Sequence, residues 1–179
     1  MSRRVVFLDR DGTINVDHGY VSTIERWEFV DGAIQGMKLL QDNGFALAVV
    51  TNQSGVAAGR CTEQDVERLH QFMCEQLAQA GVTVDAIAYC PHSADAGCRC
   101  RKPQTGMAEA IRNSLQESVD YDSSWMIGDK IADVEFGRGI GVQTALLRSP
   151  YWMADDLESI SPHFISNRLL DVATMIIAE

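Results

Sequence analysis

The sequence predicts an α/β fold built on a mainly parallel sheet. Short apolar runs of strand length, such as Val5 to Leu8 and Phe45 to Val50, alternate along the chain with amphipathic helical stretches, the pattern of βαβ units. Several of these runs end in polar residues, as strands do when their carboxyl ends open on a ligand crevice. The 179 residues are the size of one domain, 1–179, long enough for a proper core. The 46% hydrophobic and 22% charged content is that of an ordinary globular protein in water.

The first strand, Val5 to Leu8, is apolar and runs into Asp9 and Asp11 before Gly12 and Thr13 turn the chain. Residues i and i+2 of a strand share a side, so the two carboxylates address one small volume past its end. There they can hold a hard cation, and one can act as a nucleophile while the other handles protons. The plainer alternative is a strand followed by a solvated acidic turn. Ile14 to Val30 is an irregular connection whose Asp17-His18-Gly19-Tyr20 lies beside that turn.

Asp31 is suited to cap a helix running to about Asn43, with Ile34, Met37 and Leu40 on one face and Gly44 as its stop. The second strand, Phe45 to Val50, ends in Thr51-Asn52-Gln53-Ser54-Gly55, whose hydroxyl, amide and backbone donors suit an anionic oxygen or cap their own turn. Thr62, with Asp65 in a capping-box arrangement, opens the longest helix. Val66, Leu69, Met73 and Leu77 form its buried stripe, His70 and Cys74 pack beside it, and Gly81 closes it. Cys61 has no assigned role.

Asp85 to Tyr89 is the third strand. It opens into Cys90-Pro91-His92 and, after a short Gly-containing loop, Cys98-Arg99-Cys100. Three thiols and an imidazole at this spacing are the ligand set of a closed tetrahedral zinc site, which leaves no open position and is therefore structural. The zinc loop, 90–102, would aim Arg101 and Lys102 at a fixed place. Gly106 to Glu117 follows as a helix. Ser124 to Ile127 is the fourth strand, ending in Gly128-Asp129-Lys130 with Asp133 just beyond. A further helix ends at Gly139 or Gly141, and Val142 to Leu147 is the fifth strand. Pro150 to Ser161 has the character of irregular surface, Phe164 to Ser166 of a short edge strand, and Leu169 to Ala178 of a closing helix.

The net charge of −10 argues against a general nucleic-acid or anionic-membrane binder, so a phosphate ligand would need a metal and a few local Lys or Arg residues. No long apolar leader follows Met1, and no apolar run is long enough to span a bilayer. Five cysteines, three of them clustered near His92, point to metal in a reducing compartment, hence the cytoplasm. A monomer is expected.

Polar groups at several strand ends of one parallel sheet converge on one crevice, which suits phosphoryl transfer. The Asp9-Arg10-Asp11-Gly12-Thr13 motif, Thr51, Lys102 and Gly128-Asp129 with Asp133 resemble the four ordered motifs of the haloacid dehalogenase superfamily, over nearly the whole chain. The resemblance implies a doubly wound sheet in strand order 3-2-1-4-5. It also implies that Asp9 is the nucleophile, forming an aspartyl-phosphate, and that Asp11 is the general acid and base. Mg²⁺ would be held by the Asp9 carboxylate, the Asp11 carbonyl and Asp129. Thr51, Asn52 and Lys102 would stabilise the transferring phosphoryl group, while Asp133 orients Lys130 or a metal-bound water.

No segment is long enough to be a cap domain. The Cys-x-His and Cys-x-Cys-Arg-Lys-Pro loop resembles two phosphatase families, those of D-glycero-D-manno-heptose 1,7-bisphosphate (the 7-phosphatases) and of histidinol phosphate. The Asn15-Val16-Asp17-His18-Gly19-Tyr20 segment after the first motif and Thr51-Asn52-Gln53-Ser54-Gly55 resemble the heptose family. That choice implies that Asp17, His18, Gly19, Tyr20, Gln53, Ser54, Arg101 and Lys130 contact a sugar bisphosphate, in a pathway supplying heptose for a bacterial surface glycan. The short stretch between His92 and Cys98 is shared with the histidinol-phosphate enzymes and only some heptose enzymes. A non-catalytic zinc-stabilised binding module is the remaining alternative.

Overall fold

The computed structural model describes residues 2–179 and contains one six-stranded sheet in the order β3-β2-β1-β4-β5-β6. β1 (Val5–Leu8) lies between β2 (Ala46–Asn52) and β4 (Trp125–Gly128). β3 (Ala86–Cys90) flanks β2, and β5 (Gln143–Leu147) and β6 (Phe164–Ser166) continue beyond β4. All five pairings are parallel. The expected order 3-2-1-4-5 is present, and the expected edge strand adds a sixth position.

Both faces of the sheet are covered, which is why β1 is apolar at every position and does not alternate. Val6 and Leu8 join Leu47 and Val49 on one face, beneath α1 (Ala33–Asp42), α2 (Glu63–Gln79) and α5 (Leu169–Ala178). Val5 and Phe7 join Ala46, Ala48 and Val50 on the other, beneath α3 (Gly106–Leu115) and α4 (Ile131–Ile140). Phe7 is fully buried with its ring edge-on to Phe136. Truncating it to Ala would cost about 3–5 kcal/mol, because the site beneath the sheet cannot collapse to fill the hole.

Element boundaries moved where local chemistry decided them. Asp31 does not cap α1; Gly32 takes the cap position at φ 78°, and Asp31 pairs with Arg168 at 3.3 Å. β2 extends two residues past Val50, because Thr51 and Asn52 pair with Tyr89 and Cys90. α3 stops at Leu115, where Gln116 turns to φ 54°. α4 is closed by Gly141, and α2 opens with the expected reciprocal Thr62–Asp65 capping box. The segment expected to be irregular surface holds a short 3-10 turn, Ala154–Glu158. Among the described residues no helix is long and apolar enough to cross a membrane.

Candidate active site

The carboxyl ends of β1, β2 and β4 open on a cavity of about 260 Å³. Asp9 leaves β1 with its backbone N–H still bonded to Ile127 of β4, so its carboxylate is fixed at the cavity floor. Two glycines make room for the acids around it. Gly12 turns the chain at φ +89°, and a Cβ there would lie 2.3 Å from an Asp129 oxygen. A Cβ on Gly128 would lie 2.1 Å from Asp133. In both cases the missing side chain is what lets a carboxylate approach the backbone.

Two lysines partly offset the charge of this acidic cluster. Lys102 is buried, and its Nζ lies 2.8 Å from Asp9 Oδ1, 2.7 Å from Asp133 Oδ1 and 2.7 Å from the Val50 carbonyl. Burial alone would favour a neutral amine, but the carboxylates of Asp133 and Asp9 outweigh it and hold the ammonium above its usual range. Burial likewise works to protonate Asp9, and the charges of Lys102 and Lys130 outweigh that and keep it below the usual carboxylate range. Asp133, expected beside Lys130 or a metal-bound water, accepts from the Lys130 backbone N–H at 3.0 Å and also pairs with Lys102. It therefore opens α4 and anchors the buried lysine at once.

Lys130 occupies the place that a metal ion would suit. Its Nζ lies 2.9 Å from Asp129 Oδ1, 3.3 Å from the Asp11 carbonyl oxygen and 3.9 Å from Asp9 Oδ2. These are the three groups expected to ligate Mg²⁺, already gathered about a cation. Negative charge still exceeds positive here: burial, with Asp9 adding to it, pushes the Asp129 carboxyl up to about 7 despite Lys130. A hard divalent cation with oxygen ligands fits that imbalance. Asp9, Asp129 and Asp133 also converge closely enough to share an ion. Lys130, expected on the sugar, is thus committed mainly to the acids, with a longer pair to Asp17 at 3.5 Å.

Asp11 turns its carboxylate the other way. Both oxygens lie 3.0 Å from Arg10 Nη2; Asn15 Nδ2 donates to Oδ1 at 2.9 Å and Gln53 Nε2 to Oδ2 at 2.8 Å. Gln53, expected on substrate, lines the cavity and also bonds inward: Oε1 accepts from Arg10 at 3.1 Å and Nε2 reaches Thr51 Oγ1 at 2.8 Å. That contact fills an acceptor site of the Thr51 hydroxyl and leaves its proton for the cavity. The Asn52 side chain clamps the Lys102 backbone in a reciprocal pair, accepting from its N–H at 3.0 Å and donating to its carbonyl at 3.2 Å.

The loop after β1 divides. Asp17, Gly19 and Tyr20 line the cavity, as do Ser54 and Arg101. His18 does not; its ring faces Glu28 at 3.4 Å, and Arg26 donates to its carbonyl at 2.7 Å, so the loop's own polar contacts turn it outward. Arg101 donates to the His92 carbonyl at 3.3 Å and, among the described residues, is the cavity cation with no carboxylate partner. Tyr151 was missed. It lines the cavity from the segment after β5, donates to Asp17 at 2.9 Å and lays its ring 4.6 Å from Lys130 Nζ. Nothing in its flanking sequence marks it; only the folded chain brings it across.

The loop from Cys90 to Cys100 gathers its four expected ligands. Cys90 and Cys98 Sγ are 3.6 Å apart, as are Cys98 and Cys100, and His92 Nδ1 lies 3.2 Å from Cys100 Sγ. Cys90 and Cys100 approach to 2.9 Å. The four ligand atoms converge on one point, the donor set of a zinc ion. Burial, with the Cys100 thiol adding to it, pushes Cys90 up to about 12. Against desolvation, backbone N–H bonds at Arg101 and Cys100 and the neighbouring thiols bring Cys98 down to about 6, ready to bind metal as thiolate.

Comparison with known proteins agrees with this geometry. Residues 99–172 match the HAD-hydrolase-like family profile. The chain is 46% identical to the D-glycero-beta-D-manno-heptose-1,7-bisphosphate 7-phosphatase of Escherichia coli K12, over 79% of this chain and 77% of that one. It is 40% identical to the protein of the same name from Pasteurella multocida, over 81% of each. Among solved structures, the D,D-heptose 1,7-bisphosphate phosphatase from B. bronchiseptica, crystallised with magnesium and phosphate, superposes with a TM-score of 0.85 at 30% identity over 98% of both chains.

Proposed function

This chain belongs to the family of heptose bisphosphate phosphatases within the haloacid-dehalogenase-like hydrolases, and we propose that it removes the 7-phosphate of D-glycero-D-manno-heptose 1,7-bisphosphate. It is a phosphoric monoester hydrolase. The reading rests above all on Asp9: a buried carboxylate held anionic between two lysines at the floor of a cavity whose rim carries the unpaired Arg101.

Asp9 attacks phosphorus; being anionic already, it needs no base to activate it. A Mg²⁺ ion held by Asp9, Asp129 and the Asp11 carbonyl would offset the repulsion between that carboxylate and the incoming phosphate. Lys102 and the Thr51 hydroxyl face the transferring oxygens, while Asn52 acts through Lys102, whose backbone it fixes. Asp11 protonates the departing sugar oxygen, then takes a proton from the water that cleaves the aspartyl-phosphate. Arg101 receives the second phosphate on its planar fork. Asp17, Gly19, Tyr20, Ser54 and Tyr151 form the walls around the sugar. Zinc on Cys90, His92, Cys98 and Cys100 would be structural, and five unpaired cysteines suit the reducing cytoplasm.

The test is phosphate release from heptose 1,7-bisphosphate and from histidinol phosphate with Mg²⁺, using Asp9→Asn as blank. A strong preference for the bisphosphate is expected. Equal rates, or release by the Asp9 variant, would overturn the reading.

A further inference from the structure

Arg10 is the largest fully buried side chain of the protein, and none of the steps above uses it. We propose that Arg10, with Gln53 and His70 behind it, is the positioning residue that sets the orientation of the Asp11 carboxylate toward the departing oxygen. The inference rests on the acid–base reading of Asp11.

A buried guanidinium is tolerated only where its donors find acceptors. Arg10 Nη2 lies 3.0 Å from each Asp11 oxygen, 2.8 Å from the Val21 carbonyl and 3.1 Å from Gln53 Oε1. Nη1 lies 3.3 Å from His70 Nε2 on α2. A guanidinium only donates, so His70 must accept, which fixes a neutral imidazole with its proton on Nδ1. Its burial, with the Arg10 charge adding to it, is consistent: the ring is pushed down to about 3 and stays neutral.

The same logic decides which way Gln53 points. Arg10 claims Oε1, so Nε2 is left to donate to Asp11 Oδ2 and Thr51 Oγ1. One buried cation thus orients the carboxylate directly and, through an amide, a second time. Asn15 adds a neutral bond to Oδ1. All of these partners approach Asp11 from inside the protein, while its remaining 17% exposure faces the cavity. Asp9, Asp129 and Asp133 gather negative charge nearby, and among the described residues Arg10 is the cation paired with the Asp11 carboxylate, so without it that repulsion would go unopposed and the carboxylate would lose its fixed direction.

A displaced acid matters only when the leaving group needs a proton. An alkoxide does; p-nitrophenolate leaves without one. The experiment compares kcat/KM for heptose 1,7-bisphosphate and for p-nitrophenyl phosphate in wild type, Arg10→Lys and Asp11→Asn, with circular dichroism to check folding. Arg10→Lys keeps the charge but loses the fork. It should lose about 100-fold on the sugar ester and less than about threefold on the aryl ester, with KM little changed. Asp11→Asn should show the same selectivity. If Asp11→Asn is selective and Arg10→Lys loses equally on both esters, or on neither, the positioning role falls alone. If Asp11→Asn is not selective, the acid–base reading falls and takes the inference with it. Should Arg10→Lys not fold, Gln53→Met decides: about a tenfold loss confined to the sugar ester supports the inference, and a uniform loss or none overturns it.

Discussion

The acidic cluster at the ends of β1 and β4 and the sulfur cluster after β3 each draw side chains around a point, but by different means. The carboxylates stand just past β1 and β4 and in the first turn of α4, and they carry their counter-charges with them: Lys102 and Lys130 are bonded to Asp9, Asp129 and Asp133. In the sulfur cluster Cys90 closes β3 while His92, Cys98 and Cys100 sit on the irregular loop after it, and their polar partners are one another and backbone N–H groups, with no side-chain cation among them. A site that brings its own cations persists before metal arrives, whereas a site made of thiols depends on the metal for its shape. The first is suited to chemistry, the second to holding a loop.

Asp9→Asn tests the first half most severely. Turnover should fall at least about 10⁴-fold, the scale of losing a nucleophile. The fold should survive, because Lys102 keeps Asp133 and the Val50 carbonyl. Loss of the folded state, seen by circular dichroism, would mean that the cluster is not self-supporting.

Metal affinity offers the next largest effect. Asp129 must be ionised to bind Mg²⁺, and without metal its carboxyl is raised to about 7. Apparent Mg²⁺ affinity should therefore weaken about tenfold for each pH unit below that value, readable by calorimetry. The sign for stability follows. The folded metal-free protein holds this proton while the unfolded chain has already lost it, so between 3.8 and about 7 its contribution makes stability fall as pH rises. Mg²⁺ should remove that slope; a melting temperature with the same slope in both conditions would contradict it.

Stripping zinc tests the sulfur cluster. Arg101 is tied to the loop through the His92 carbonyl, whereas Lys102 is clamped by Asn52 and by its own carboxylates. Removal by a chelator, with Mg²⁺ then restored, should raise KM for the bisphosphate about tenfold, the worth of one charged contact. kcat should change less than about threefold. A collapse in kcat would show that Lys102 depends on the metal after all. The smallest effect is expected from Tyr151→Phe, which removes the bond to Asp17 but keeps the ring over Lys130. About a threefold rise in KM is expected, and no change would mean that the hydroxyl plays no part in shaping the cavity.

Much of this molecule is legible without coordinates. The strands that meet in the sheet, the polar set at each strand end, and the four zinc ligands all follow from local pattern: apolar runs of strand length, i and i+2 on one side, one Cys-x-His and one Cys-x-Cys. The heptose choice drew on a resemblance spread over Asp17 to Tyr20 and Thr51 to Gly55, and relatives at 46% identity bear that name despite the short stretch between His92 and Cys98. His18, Gln53, Asn52 and Lys130 were less legible. The resemblance implied each as a substrate or phosphate contact. The fold adds Glu28, Arg10, the Lys102 backbone and Asp129 as their partners, while Gln53, Asn52 and Lys130 also line the cavity.

The physical reason is range. Burial periodicity, capping and ligand spacing are set by neighbours a few residues away, so the sequence by itself determined the elements and which residues stand at their ends. A polar side chain's final partner depends on which distant group reaches it once water is excluded. Arg10 meets Gln53 and His70, Lys102 meets Asp9, and Tyr151 meets Asp17, each across a separation that only packing closes. The tertiary structure alone decided which of the polar residues near the crevice line the cavity and which partners hold them in place.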